Sequence, residues 1–227
     1  MWNFANNCDI LNIPKKRQVY KMENIDTKAL NKISYGLFVI TSRADGKDNG
    51  CIINTAMQLT SSPLTVAVCV NKANYTCEMI KKSGVFNLSA LTEKTGFDVY
   101  KRFGFASGAD TDKFEGFDGA CRADNHVLYV GEKYANSLIS CRVKSANDVG
   151  THILFVAEVT EAKVLNDEKS VTYAYYHENV KPKPEKKEEK KKGYVCKICG
   201  YVYEGEELPE DYICPICKHP ASDFEKL

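Results

Sequence analysis

The sequence predicts a mainly β domain, closed or half-closed into a barrel with a few helices, followed by a small metal-knuckle unit. Three observations predict it. Short β-branched runs bounded by Gly, Asp, Asn and Pro recur between Tyr35 and Leu165. A Lys/Glu/Pro stretch from Lys181 to Lys192 breaks all periodicity, and the last 35 residues carry four cysteines in two Cys-x-x-Cys loops. Many strands with few helices favour a barrel over a layered α/β fold. The expected organisation is an N-terminal extension over 1–24, a barrel over 25–178, a linker over 179–192 and the knuckle unit over 193–227.

Taken in order, Met1 to Lys21 is polar and aperiodic and reads as a start-site extension, with Met22 opening onto the first helix. That helix is expected over Ile25 to Ser34, capped by Asn24 or Asp26, with Ile25, Leu30 and Ile33 facing inward. Strands are expected at Tyr35–Thr41, Gly50–Asn54 and Leu64–Val70. A helix follows from Asn74 to Lys82, with Asn74 as N-cap, Cys77, Met79 and Ile80 on its apolar face and Gly84 as its stop. Val85–Ala90 reads as a strand and Glu93–Phe103 as a helix. Two long paired strands, Ser137–Val143 and Thr151–Leu165, flank a turn at Ala146–Gly150.

Composition narrows the class. The chain has 227 residues, 44% hydrophobic and 27% charged, ordinary values for a water-soluble domain. No apolar run approaches the ~20 residues of a membrane span, and Met1 to Tyr20 has no apolar signal region, so cytoplasmic residence and no membrane association are expected. Cys8, Cys51, Cys69, Cys77, Cys121 and Cys141 are scattered singly and are expected to be buried free thiols of a protein that works reduced. The linker, with seven Lys against three Glu, accounts for the basic balance and does not make a nucleic-acid site. The knuckle unit is acidic, with three Lys against seven Asp/Glu, which either steers it to a basic partner or keeps it soluble.

Cys196, Cys199, Cys214 and Cys217 form the strongest chemical signal. Two Cys-x-x-Cys loops joined by a short hairpin bring four thiolates to the corners of a tetrahedron, the geometry of zinc and of sulfur-bound iron alike. A 35-residue unit buries too little apolar surface to offset its chain entropy unaided, so the metal is needed for folding. Spacing alone leaves zinc and iron open.

No Gly-x-Gly-x-x-Gly follows a strand, which removes support for a Rossmann nucleotide site. Asn54 to Pro63 instead leads through one strand into Asn71-Lys72-Ala73-Asn74-Tyr75-Thr76 at a helix start. Hydroxyls, a lysine and unpaired helix N–H groups suit an anion. From composition alone, ordinary turn chemistry before Pro63 is the favoured account of Thr60, Ser61 and Ser62.

Two resemblances bear on these sites. Tyr194-Val-Cys196-x-x-Cys199-Gly200-Tyr201-x-Tyr203, Leu208-Pro209-x-Asp211-Tyr212-x-Cys214-Pro215-x-Cys217, Pro220 and Phe224-Glu225 resemble a rubredoxin, in the compact form fused to rubrerythrins. That resemblance implies one iron on the four cysteines. Ile33 to Thr41, Asn54-Thr-x-x-Gln58-x-Thr60-Ser61-x-Pro63, Val70-Asn-Lys-x-Asn74-Tyr-Thr76 and Gly150-Thr-His152-x-x-Phe155-x-x-Glu158-Val159 resemble the flavin reductase family. It implies an FMN-binding split β-barrel, a homodimer with flavin near the subunit interface, and NAD(P)H as reductant. Carried over by position, Asn54, Thr55, Ala56, Met57 and Gln58 line the isoalloxazine, while Thr60, Ser61, Lys72, Asn74 and Thr76 hold the phosphate side. His152 matches the histidine of the flavin or nicotinamide pocket, a strand-end histidine bonded to backbone being the plainer reading. Phe103-Gly104 and Asp112-Lys113-Phe114 match a loop that covers the flavin or is simply structural, and Tyr173, Tyr175 and Tyr176 are placed at the interface or in the core. The combination resembles the high-molecular-weight rubredoxins of anaerobes, which implies electron transfer from NAD(P)H through FMN and iron to a flavodiiron oxygen or nitric oxide reductase.

Overall fold

The computed structural model describes residues 25–182 and 193–227; the expected extension and most of the linker lie outside the described residues. The chain divides after Ile33 into two units. In the first, Thr27–Lys32 form a 3-10 helix capped by Asp26, whose carboxylate accepts from the Lys28 N–H at 2.9 Å. The expected cap is present, but the inward-facing α-helix is not: Ile25, Leu30 and Ile33 are 53, 59 and 51% exposed. Of the three, only Leu30 lies within the six-residue helix, so no apolar face forms.

Up to Val164 the second unit is built on β1 Phe38–Ala44, β2 Lys47–Ile53, β3 Ala56–Ser61, β4 Leu64–Asn71, β5 Val85–Leu91, β6 Ala120–Arg122, β7 Leu128–Val130, β8 Ala135–Asp148 and β9 His152–Val164, with helices α1 Tyr75–Ser83 and α2 Phe97–Gly104. Seven of these strands form one sheet in the order β2-β1-β5-β8-β9-β4-β3, and β6 with β7 forms a ribbon. Asp45 and Gly46 adopt φ of 51° and 80°, so a two-residue turn joins β1 to β2. That turn shifts both strands from their expected bounds. Gly84, at φ 71°, ends α1 as expected.

The barrel follows from which side chains meet. Ile53 of β2, Val68 and Val70 of β4, Leu88 of β5, Phe155 of β9 and Ile80 of α1 share one buried cluster. Because β2 and β4 lie near opposite ends of the strand order, the sheet must curl for them to touch. A second cluster, on the far side of β1 and β5, packs Val99, Tyr100 and Phe103 of α2 against Leu37, Val39, Leu91 and Val130. Tyr176 joins it with its ring 4.6 Å from that of Tyr100, whereas Tyr173 stays 37% exposed.

The loop after α2 is held by its own buried residues. Lys113 is 4% exposed, and its Nζ donates to the carbonyls of Gly50 at 2.8 Å and Phe103 at 3.2 Å. Phe114 meets Phe103 edge-on at 5.4 Å, and Asp112 accepts from the Phe114 N–H. These contacts favour the structural reading of the loop over the flavin-covering one.

In the last 35 residues, β10 Tyr194–Cys196 lies between β11 Val202–Tyr203 and β12 Phe224–Lys226. Among the described residues no helix is long and apolar enough to cross a membrane.

Burial lowers the pKa of Lys113, so the folded chain holds that proton less tightly than the unfolded chain, where lysine titrates near 10.5. Stability contributed at this position therefore rises with pH from the lowered value toward 10.5. Lys113→Met is expected to cost about 2–3 kcal/mol at pH 7 by stranding buried carbonyls. In urea unfolding the gap between wild type and variant should widen at pH 10; a constant or narrowing gap would contradict the burial argument.

Candidate functional site

The four cysteine sulfurs lie within 4.8 Å of one another, with Cys196 to Cys217 and Cys199 to Cys214 each at 3.5 Å. Metal–sulfur bonds of ~2.3 Å give a tetrahedral edge of about 3.8 Å, so the site is close to the size of a bound ion. Cys196 and Cys214 are buried, while Cys199 and Cys217 are half-exposed. Each loop closes with the same backbone bond, Gly200 N–H to the Cys196 carbonyl at 2.8 Å and Lys218 N–H to the Cys214 carbonyl at 2.9 Å. Tyr201 N–H points at the Cys199 sulfur, those of Cys217 and Ile216 at Cys214, and that of His219 at Cys217.

Those donors favour thiolates. Burial pushes the Cys199 thiol up to about 11 and Cys217 higher still. At Cys214 burial raises the thiol, but the two N–H groups and hydrogen bonds with the Cys217 and Cys199 sulfurs together hold it below its usual value. Metal uptake must therefore displace protons. Tyr194, Tyr201, Tyr203, Leu208, Tyr212 and Phe224 pack around the sulfurs, with Tyr212 4.6 Å from Tyr203 and 5.5 Å from Phe224, ring to ring.

The barrel offers a polar shelf where β4, β9 and α1 meet. Asn71 pairs with His152, and the Lys72 N–H donates to the Thr151 carbonyl at 3.0 Å, which brings Lys72, Asn74 and His152 together. Asn74 occupies the N-cap of α1 but makes no capping bond; its amide turns instead to the Cys51 sulfur at 3.6 Å. The first turn of α1 consequently keeps N–H groups for an anion. Lys72 Nζ rests on Asp148 at 2.7 Å, an exposed ion pair that is easily exchanged. His152 Nδ1 is 2.8 Å from the Thr151 hydroxyl, and burial lowers its pKa, leaving it neutral at pH 7.

Asn54, Thr55 and Ala56 adjoin this shelf, because the Thr55 carbonyl accepts from Cys69 and Ala56 pairs with Val68. Met57 and Gln58 continue along β3, exposed. The structure does not gather the remaining residues assigned to phosphate. Thr60 pairs with Thr65, seven residues from Lys72 along β4, a distance of about 23 Å at ~3.3 Å per residue. Its hydroxyl bonds Thr65 and the Pro63 carbonyl, the turn chemistry weighed above, and Ser61 pairs with Leu64 beside it. Thr76 is fully buried, and its hydroxyl accepts from Asn49 at 3.0 Å, so it supports the helix start from behind.

Asn49 and Cys51 are the residues that sequence reasoning did not connect to this region; burial pushes the Cys51 thiol up, with Thr76, Lys113 and Asn74 opposing. Of the scattered cysteines, Cys51, Cys77 and Cys141 are buried free thiols as expected, with burial pushing the last two to about 11 and about 12. Cys69 is half-buried and Cys121 is exposed, because it lies on the outer ribbon and not in the barrel; Cys8 lies outside the described residues.

Residues 30–183 match the flavin reductase like domain, and residues 194–225 match the rubrerythrin, rubredoxin-like domain. The chain belongs to the flavin reductase-like family and ends in a rubredoxin-like domain. It is 33% identical to a high molecular weight rubredoxin of Moorella thermoacetica over 89% of this chain and all of that one. It is 41% identical to a ferric-chelate reductase (NAD(P)H) of Archaeoglobus fulgidus over 67% of this chain and 89% of that one. Its fold resembles the NADH:FAD oxidoreductase SgcE6 of Streptomyces globisporus, with a TM-score of 0.57 at 18% identity over 63% of this chain and 84% of that one.

The protein is thus an oxidoreductase whose cofactors are flavin and iron. The donor set fits iron, and the uncapped helix with Lys72 fits the phosphate of FMN. Cys214→Ser is expected to take bound iron from stoichiometric to none while leaving bound flavin unchanged, as read by metal analysis and the visible spectrum. Retained iron, or concurrent loss of flavin, would show that the centre is not built as described.

Proposed function

We propose that the chain carries electrons from NAD(P)H through FMN to its four-cysteine iron and on to a flavodiiron oxygen or nitric oxide reductase, working as a homodimer in the cytoplasm. What carries this reading is one chain holding both a flavin-family barrel and a four-thiolate centre. FMN held by Lys72, Asn74 and the first turn of α1 would supply conversion of a hydride's two electrons into single ones, and iron on Cys196, Cys199, Cys214 and Cys217 would supply a one-electron outlet. The resemblance to a high molecular weight rubredoxin over nearly the whole chain supports it.

Each residue then has a physical task. Lys72, Asn74 and the open first turn of α1 take the phosphate, and Asn54, Thr55, Ala56, Met57 and Gln58 border the isoalloxazine along β3. His152, neutral and anchored to Thr151, orients the nicotinamide side by hydrogen bonding and transfers no proton in the hydride step. Edge strand β3 leaves Met57 58% and Leu59 45% exposed, with Leu64 at 41% beside them. A second copy covering that edge would bury these side chains and shield the flavin from water.

Lys72→Ala is expected to weaken FMN about 10- to 100-fold, the loss of a charge-assisted hydrogen bond of ~1.5–3 kcal/mol. Asp148→Ala frees the same ammonium and should tighten FMN by up to about fivefold, since an exposed pair holds at most ~1 kcal/mol. Both are read by fluorescence titration of the flavin-free chain; equal weakening by the two variants would remove Lys72 from the phosphate site. Deleting 193–227 should leave NADH oxidation by free ferricyanide intact and abolish reduction of a flavodiiron acceptor. Unchanged delivery to that acceptor would overturn the relay.

A further inference from the structure

The knuckle domain is acidic as a whole, yet its charge is unevenly placed. Every Asp and Glu after Gly193 lies in 204–211 or 223–225, whereas the two loops that hold the metal, 194–203 and 212–222, carry Lys197, Lys218 and His219 and no carboxylate. The half-exposed ligands Cys199 and Cys217 are each preceded by an exposed isoleucine, Ile198 at 43% and Ile216 at 37%. Asp223 reaches the first loop through its backbone carbonyl, which accepts from the Lys197 N–H at 2.9 Å. Among the described residues neither Lys197 nor Lys218 forms an ion pair.

Lys218 is also conformationally unusual. Its N–H closes the second loop as the Gly200 N–H closes the first, and both residues are left-handed, at φ 61° and 78°. Glycine adopts that conformation without strain, and lysine does not. A charged side chain kept there beside Cys217 signals a use for the charge.

We propose that Ile198, Ile216, Lys197 and Lys218 form a cationic, apolar docking face over the metal, fitted to an electron-accepting protein whose port is apolar and ringed by carboxylates. This rests on the reading that the metal passes electrons outward. Net charge would steer the domain toward a basic partner, but the face through which electrons leave selects an acidic one. Lys218 anchors that choice, since it adjoins the exposed ligand Cys217.

The test uses the zinc-loaded full chain and paramagnetic probe ions, so it is independent of flavin, hydride and iron chemistry. Hexacyanochromate(III), an anion, is expected to broaden the amide signals of Ile198, Ile216 and Lys218 at least severalfold more than those of Glu206 and Glu207, and hexaamminechromium(III), a cation, the reverse. Lys218→Gly should abolish most of the anion's effect at Ile216 and raise the thermal midpoint of the domain; Lys197→Gln should weaken it at Ile198. Broadening that follows net charge everywhere, or that survives both substitutions, would overturn the proposal. Failure of NADH to reduce the iron would sink the relay and leave this measurement untouched.

Discussion

Four sulfur atoms within 4.8 Å of one another are the constraint on which the C-terminal domain and the function both depend. The domain buries three side chains fully, Cys196, Cys214 and Phe224, two of them ligands. So small a core does not offset the entropy of ordering 35 residues, and the metal must supply the remainder. The ion that folds the domain is therefore the ion that carries its charge. Backbone N–H groups directed at Cys199, Cys214 and Cys217 do both tasks at once, fixing the loops and stabilising negative sulfur.

The barrel has the opposite character. Its core is two apolar clusters, and the flavin site proposed for it lies at the end where β4 hands over to α1. There the pairing of Asn71 with His152 sets the geometry, and the refusal of Asn74 to cap its own helix leaves the first turn open. Asn74 turns inward because Cys51 and Thr76 make a polar pocket beneath it, itself closed by Asn49. Binding capacity at the surface is thus set by buried polar packing one layer below.

What was legible in the sequence was what is local. Cys-x-x-Cys spacing and Asn74 and Gly84 around α1 are set by residues a few positions apart and appear where expected; the long β8–β9 pair is present too, but β8 runs to Asp148 through most of the expected turn. Strand β3 was not legible, because an edge strand exposed over Met57 to Ser61 shows no alternation. Strands β6 and β7 are three residues each, too short to carry a period. Thr76 is assigned to the phosphate by the resemblance and is buried, with Asn49, distant in sequence, satisfying its hydroxyl; Lys113, in the loop matched as flavin-covering or structural, is buried for the carbonyls of Gly50 and Phe103. The resemblance puts Thr60 and Lys72 on one phosphate side, and the antiparallel register separates them by the length of β4.

The central claim is that one polypeptide holds two redox groups in series. Anaerobic addition of NADH to the purified, iron-replete chain, followed by visible spectroscopy, tests it most directly. The account requires the flavin bands and the red ferric-thiolate absorption both to bleach, the iron signal only when flavin is bound. A colourless zinc-loaded chain, or iron that stays oxidised beside reduced flavin, would contradict it.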